Sequence, residues 1–298
     1  MSDDPAHYNP GDYLQTCTDI VQPNECDKNG HLNVQFYVER FISATQQCTF
    51  EEKVKPQLAL FPTDMLFRFH RELLAGNRTN IRSGVVTAEG SDRRLLHILS
   101  EDDGGKVCAT ALCRPGSASG RIPIVDGPVP DIAAPRNLPS KNYEPADTAA
   151  LLGNQLALIT KQGTVDVDHC GPLKALRTDL MVKAFHDAAM SLWKFVGFED
   201  QWFSSGDYGG IAAEMKLTQF DEIGAGQSYE IVSWVPHMTK NVLHLANQLN
   251  EAASGKPVAR ICAPSMIFDR KTRRPVEFPE AVRNHYDRQF QAFCDLDQ

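Results

Sequence analysis

The sequence predicts an α+β fold built from two tandem copies of one unit, each an antiparallel sheet wrapped around one long helix. The first observation behind this is an internal repeat. Val21-Gln-Pro-Asn-Glu-Cys26-Asp27-Lys-Asn-Gly30-His31-Leu32 leads into an apolar-periodic stretch, and Val165-Asp-Val-Asp-His-Cys170-Gly-Pro-Leu-Lys-Ala-Leu176 leads into another. Val21/Val165, Cys26/Cys170, Leu32/Leu176, Val38/Val182, Phe41/Phe185 and Ala44/Ala188 all stand 144 residues apart, and one shared offset over six pairs marks a duplication. The second observation is that the relation continues downstream. Phe67/Leu217, Glu72/Glu222, Ala75/Ala225, Gly76/Gly226, Ile81/Ile231 and Val85/Val235 differ by 150; Leu96-His97 echoes Leu243-His244 at 147, and Gly105-Lys106 echoes Gly255-Lys256 at 150. Shifts that fall between elements are what loop insertions produce. The third is the order within each copy, one helix early and then a run of strand-like segments, which argues a helix packed by an antiparallel sheet.

In the first copy a strand is expected over 13–21, then a turn and a helix over 33–47. Phe36, Tyr37, Phe41 and Ala44 step at the period of a buried helix face. Strands follow over 65–73, 80–89, 94–101 and 107–115, with Gly76 and Gly104-Gly105 at the turns. Next come Pro115, Pro123, Pro128, Pro130, Pro135, Pro139 and Pro145, a density that breaks helices and ladders alike. Residues 115–148 therefore read as an extended connector. The second copy repeats the order, with a strand over 156–167, a helix over 178–196, and strands over 213–221, 228–236, 242–249 and 258–267. The expected division is 1–114, 115–148 and 149–298.

The chain carries 30 Lys plus Arg against 38 Asp plus Glu, a net charge of −8. Such a surface repels phosphate backbones, which argues against nucleic acid as a partner; an anionic ligand would need a local basic patch. No apolar run approaches the roughly 20 residues needed to span a bilayer. Met1-Ser-Asp-Asp-Pro5 lacks the apolar core of a secretory signal, so a cytoplasmic location is expected. The eight cysteines include no C-x-x-C pair, and most read as small buried hydrophobes of a cytosolic chain. His70, His97 and His244 show no metal-ligand spacing, and no metal is expected. Dinucleotide, P-loop and nucleophile-elbow patterns are absent, which leaves nicotinamide, ATP and serine-hydrolase chemistry without footing.

The chemistry-bearing run is Asp27-x-x-Gly30-His31-x-Asn33-x-x-x-Tyr37, at the opening of the first helix. A turn that opens a buried helix presents unsatisfied N–H groups and the positive end of the macrodipole. Gly30 permits close backbone approach. An aspartate there serves as a cap, or as a nucleophile or general base beside donors suited to an oxyanion.

This run resembles the signature of the hotdog-fold thioesterases, most nearly the 4-hydroxybenzoyl-CoA thioesterase type. Asp27-Lys-Asn-Gly-His-Leu-Asn33 is also similar to the D-x-N-x-H-x-N run of plant acyl-ACP thioesterases. Asp269 to Pro275 followed by Phe278-Pro279 resembles the last strand and tail of such proteins. The resemblance implies a double hotdog, two units in one polypeptide whose sheet edges pair internally. It implies an acyl-CoA thioesterase that hydrolyses an acyl thioester, on CoA or acyl carrier protein, to the free acid. Coenzyme A enters only as part of the substrate, with no other cofactor. Asp27 would act as nucleophile or general base, with Gly30, His31 and Asn33 around it, and Tyr37 would line the helix face toward substrate. A homo-oligomer of such chains is compatible with the family's habit.

At the aligned positions the second copy has Gly171, Lys174, Ala175, Arg177 and Met181, so it reads as degenerate for chemistry. The resemblance gives it the sheet, the acyl pocket wall or the coenzyme contact instead. Asp168 and His169 precede Cys170, but a three-residue slip would re-aim them. Cys26 has a twin in Cys170 in the degenerate half, so packing explains both. Glu72 and Glu222 read as rim residues beside glycine turns, with a second carboxylate facing substrate as the other reading. Arg68 with Arg71, Arg93-Arg94, and Arg270-Lys271 with Arg273-Arg274 are candidate contacts for coenzyme phosphates. Arg93 and Arg94 are preferred, because related thioesterases often meet the coenzyme at that strand and Arg suits phosphate. Two rival readings are a hotdog enoyl hydratase or dehydratase using Asp27 and His31, and a non-catalytic acyl-thioester binding protein.

Overall fold

The computed structural model describes residues 9–27, 30–49, 64–87, 92–102, 105–114, 122–139, 143–171, 174–199, 202 and 206–290. Met1–Pro5, Lys28 and Asn29 of the motif, Glu89, Gly104, Pro115, Pro172 and Cys294 lie outside the described residues. The chain divides into two compact units, Met1–Arg136 with Thr178–Val182, and Asn137–Arg177 with Lys183–Gln298.

The first unit holds β1 (Leu14–Ile20), α1 (Val34–Thr49), β2 (Asp64–Phe69), β3 (Arg78–Thr87), β4 (Arg93–Glu101), β5 (Val107–Cys113) and β6 (Ile124–Pro128). Its antiparallel order is β1-β3-β4-β5-β2, with β6 added parallel to β3. Tyr37, Val38, Phe41, Ala44 and Cys48 form the buried stripe of α1. Phe41 packs its ring 6.1 Å from those of Phe67 and His97, which ties the helix to β2 and β4. Burying a side chain of that size is worth about 1.5–3 kcal/mol.

β2 is shorter than expected. Both His70 N–H and Arg71 N–H turn to Cys108 O (2.8 and 3.2 Å), which takes residues 70–73 out of the ladder and into a turn. Residues 131–134 of the proline-rich stretch are held against β2 and β5. Buried Arg68 donates to Asp131 O and Ala134 O (2.5 and 3.0 Å), and Thr110 donates to Ile132 O. That stretch was expected to form no ladder, yet it supplies β6. Pro128 sits at an edge, where a missing N–H costs little.

The second unit holds α2 (Thr148–Gly153), β7 (Ala157–Thr164), α3 (Thr178–Phe195) from Lys183 onward, β8 (Tyr208–Ala212), β9 (Glu214–Gln219), β10 (Ser228–Met238), β11 (Leu243–Glu251), β12 (Pro257–Asp269), β13 (Arg274–Pro275) and α4 (Glu280–Phe290). The order β7-β10-β11-β12-β9 repeats that of the first unit, with β8 and β13 also on β12. The two units thus share the hotdog plan. Phe220 N–H and Asp221 N–H both turn to Val258 O (2.8 and 3.1 Å), copying the break after β2.

The strand register departs from the sequence expectation at His97. Ser83 pairs with His97 and Ser233 with Asn247, so the structural equivalent of His97 is Asn247, at the 150 offset; the Leu96-His97 echo in Leu243-His244 is a coincidence of sequence.

The segment before α2 is strapped to its own unit by buried polar side chains. Lys216, 2% exposed, donates to Pro139 O (3.0 Å). Gln248 both accepts from Ala146 N–H and donates to Ala146 O (2.8 and 3.1 Å). The Arg260 guanidinium lies between the rings of Tyr143 and Trp234, at 4.7 and 4.9 Å. At the far end Trp193, Phe198 and Phe278 meet edge to face and seat the chain entering α4.

Candidate active site

The site is assembled from the turn before α1. Gln22 N–H donates to Glu25 Oε2 (2.7 Å), and Glu25 is gripped by both guanidinium nitrogens of buried Arg40 on α1 (3.1 and 2.7 Å). Burial alone would raise the Glu25 carboxyl, but the Arg40 fork and the Gln22 N–H hold it below the usual range. This pins the incoming chain to the helix. Asn33 N–H then donates to Glu25 O (2.9 Å), and the Asn33 side chain accepts from Gln35 N–H (3.1 Å) as the N-cap of α1.

Between these anchors Asp27 N–H donates to His31 O (2.8 Å), Gly30 N–H to Asp27 O (3.0 Å) and His31 N–H to the Asp27 carboxylate (3.1 Å). Gly30 has φ +81°, the left-handed region that suits glycine. Leu32 N–H donates to Leu73 O (2.7 Å), which locks this turn against the one after β2. As a result Glu72 Oε1 lies 3.5 Å from His31 Nδ1, with the two side chains 39% and 31% exposed. A carboxylate-bearing turn, an imidazole 3.5 Å from a second carboxylate, and the N-terminus of a buried helix therefore share one place. That is the equipment of general acid–base or nucleophilic chemistry at a carbonyl.

Tyr37, one turn into α1, is 5% exposed with its ring edge-on to Phe69. Its hydroxyl donates to Arg71 O (3.3 Å) and accepts from Leu73 N–H (3.2 Å). Burial pushes the phenol well above its usual range.

Arg93 and Arg94 are not brought to this turn. They pair with Thr87 and Val86 at the far end of β3, about 30 Å along the strand from its start at Arg78. Arg94 is 9% exposed and donates to Asp64 (2.7 Å) and Asp92 (2.8 Å), whereas Arg93 is exposed. Arg68 is engaged by the strap, and Arg270 donates to Tyr208 O.

Sequence reasoning did not place Glu72 in the site; it named the residue but weighed it as a rim position. Its recurrence as Glu222 was the only signal, and its histidine partner belongs to a different turn. The second unit keeps the scaffold without these groups: Gly171 N–H donates to Ala175 O, Lys174 N–H to Gly171 O and Leu176 N–H to Ile223 O. Lys174 takes the left-handed conformation at φ +62° in place of Gly30. Asp168 and His169 are exposed on the short helical turn Val167–His169. Among the described residues no group of three His, Cys, Asp or Glu is placed to hold a metal ion, and no helix is long and apolar enough to cross a membrane.

With this geometry in hand, the comparisons agree on the class. The family model of the thioesterase-like superfamily matches residues 21–119 and again 163–285. The chain belongs to that superfamily, with the hotdog fold present twice. Among solved structures it is similar to an acyl-ACP thioesterase from Bacteroides thetaiotaomicron (TM-score 0.56, 11% identity, covering 84% of this chain and 96% of that one). It is similar also to the 12:0-ACP thioesterase from Umbellularia californica (TM-score 0.57, 12% identity, covering 90% and 96%). Among curated proteins none matches the sequence.

Proposed function

We propose that the protein hydrolyses an acyl thioester, carried on coenzyme A or acyl carrier protein, at the turn that opens α1. The observation that carries this reading is the meeting of Asp27, His31 and Glu72 at a helix N-terminus. Asp27 acts as nucleophile on the thioester carbonyl or as general base for the attacking water. The N–H groups and positive dipole end at the start of α1 favour the oxyanion of the tetrahedral intermediate. The C–S bond then breaks, a proton originating from water goes to the departing thiolate, and the acid is released. The seven described cysteines are free thiols, which supports a reducing compartment such as the cytoplasm. These steps draw on protein groups and water alone, so dialysis against EDTA should leave the rate unchanged.

Thiol release measured with dithiobisnitrobenzoate over a panel of acyl-CoA substrates, with acyl carrier protein thioesters beside them, tests the reading and ranks the acyl groups. Asp27→Asn should lower turnover by roughly a hundredfold or more, while exposed Asp168→Asn stays within about twofold, as expected of a surface change. A single turnover in ¹⁸O-water tests the nucleophilic role: label in the Asp27 carboxylate requires an acyl-aspartyl anhydride opened by water at the aspartyl carbon, which a general base does not form. No thiol release across the panel, or an Asp27→Asn variant as fast as the parent, would sink the proposal.

A further inference from the structure

The Tyr37 hydroxyl brackets Glu72. It accepts from the N–H of Leu73 on one side and donates to the carbonyl of Arg71 on the other, at 3.2 and 3.3 Å. The turn does not need this clamp in order to form. Leu32 N–H to Leu73 O, Gly76 N–H to Val21 O and Leu74 N–H to the Asn77 side chain already hold it, at 2.7, 2.9 and 2.6 Å. The second unit builds the same turn from the same bonds, Leu176 N–H to Ile223 O, Gly226 N–H to Val165 O and Gly224 N–H to the Gln227 side chain, at 2.7, 2.9 and 2.7 Å. It does so with Met181 where Tyr37 stands. That unit also keeps Glu222 but has Ala175 in place of His31. The hydroxyl and the imidazole are thus present together in one copy and missing together from the other.

We infer that Tyr37 is a positioning residue, whose hydroxyl fixes the Arg71–Leu73 backbone so that the Glu72 carboxylate stays on His31 Nδ1. The inference rests on the hydrolytic reading of this turn and extends it. Both members of the His31–Glu72 pair are partly exposed, so water competes for their contact and backbone placement decides how often it is made. A small displacement of a supporting group is enough to cost a large factor in rate.

The test uses the full chain, as wild type, Tyr37→Phe, Glu72→Gln and the double variant. In Tyr37→Phe, kcat should fall roughly ten- to hundredfold with KM within about twofold, and the double variant should be no slower than Glu72→Gln alone, because the two act through one contact. The His31 ring ¹⁵N resonances supply a readout that needs no turnover: Tyr37→Phe should move them in the direction that Glu72→Gln does. Should Tyr37→Phe fail to fold, Tyr37→Met, the side chain the second copy uses there, is judged by the same criteria. The inference is overturned if Tyr37→Phe keeps its kcat within twofold, or if the double variant loses the product of the single effects. It is equally overturned if the His31 resonances stay unmoved in Tyr37→Phe or in Glu72→Gln. A wild type that releases no thiol from any substrate defeats the hydrolytic reading instead, and the resonances then decide the positioning role.

Discussion

His97 is fully buried on β4, with Nδ1 2.6 Å from Ser83 Oγ and Nε2 2.9 Å from Thr45 Oγ1. Thr45 donates its own proton to Phe41 O (2.8 Å), so its oxygen is left to accept, which assigns the ring proton to Nε2 and makes Ser83 the donor to Nδ1. The neutral ring is satisfied on both sides, and burial pushes its pKa down to about 3. In the unfolded chain the same group titrates near 6.5. Its folded value is depressed, so the stability it confers is complete above pH 6.5 and is lost progressively as the pH falls toward 3. Asn247 holds the equivalent place in the second unit, accepting from Ser233 (2.7 Å) without a titrating ring. His97→Asn should therefore fold, and its urea midpoint should drop less between pH 6.5 and 4 than that of the parent. Equal losses would show that other groups set the acid limb. At this scale the sequence named the acid, the glycine and the imidazole of the motif, because they share one turn. It was silent on Glu72's contact and on Arg94's burial against Asp64, both of which depend on residues far away in the chain.

At the scale of elements, the two long helices and the central strands were legible because each carries its own period. Phe41 shows what that period encodes. It is fully buried on α1 and packs against Phe67 and His97, so Phe41→Ala should destabilise the protein by about 3–5 kcal/mol in urea titrations. A loss below 1 kcal/mol would mean that the helix is not seated as described. β6, β8, α2 and α4 were not anticipated. β8 is instructive. It pairs with β12 over Ser265–Asp269, just beyond the Ala259–Cys262 stretch that pairs with β9, so a Gly-rich segment becomes a strand because a long neighbour offers it free ladder positions. Local propensity argues against strand in Gly209-Gly210, and tertiary pairing overrides it.

Taken whole, the molecule is a duplicated fold whose proline-rich connector is bound by polar groups on each unit's own sheet. Gln248 makes a two-way pair with Ala146, so Gln248→Ala should cost about 1–3 kcal/mol by leaving both main-chain groups without that partner. An unchanged urea midpoint would show that water replaces the side chain there. The buried Lys216 and Arg68 are strap contacts of the same kind, each charged group covered because its nitrogen meets main-chain carbonyls. By itself the sequence determined the duplication, the α+β order, the long helices and the acid-bearing turn, since repeats, helical period and turn chemistry are all written within a few consecutive residues. Only the tertiary structure decided that Glu72 faces His31, that Tyr37 holds Glu72 from both sides, that Arg94 is buried in an ion pair, and that Lys216 is covered. Each of these depends on sheet register and on which turn packs against which, and such contacts between distant segments leave no mark in local composition.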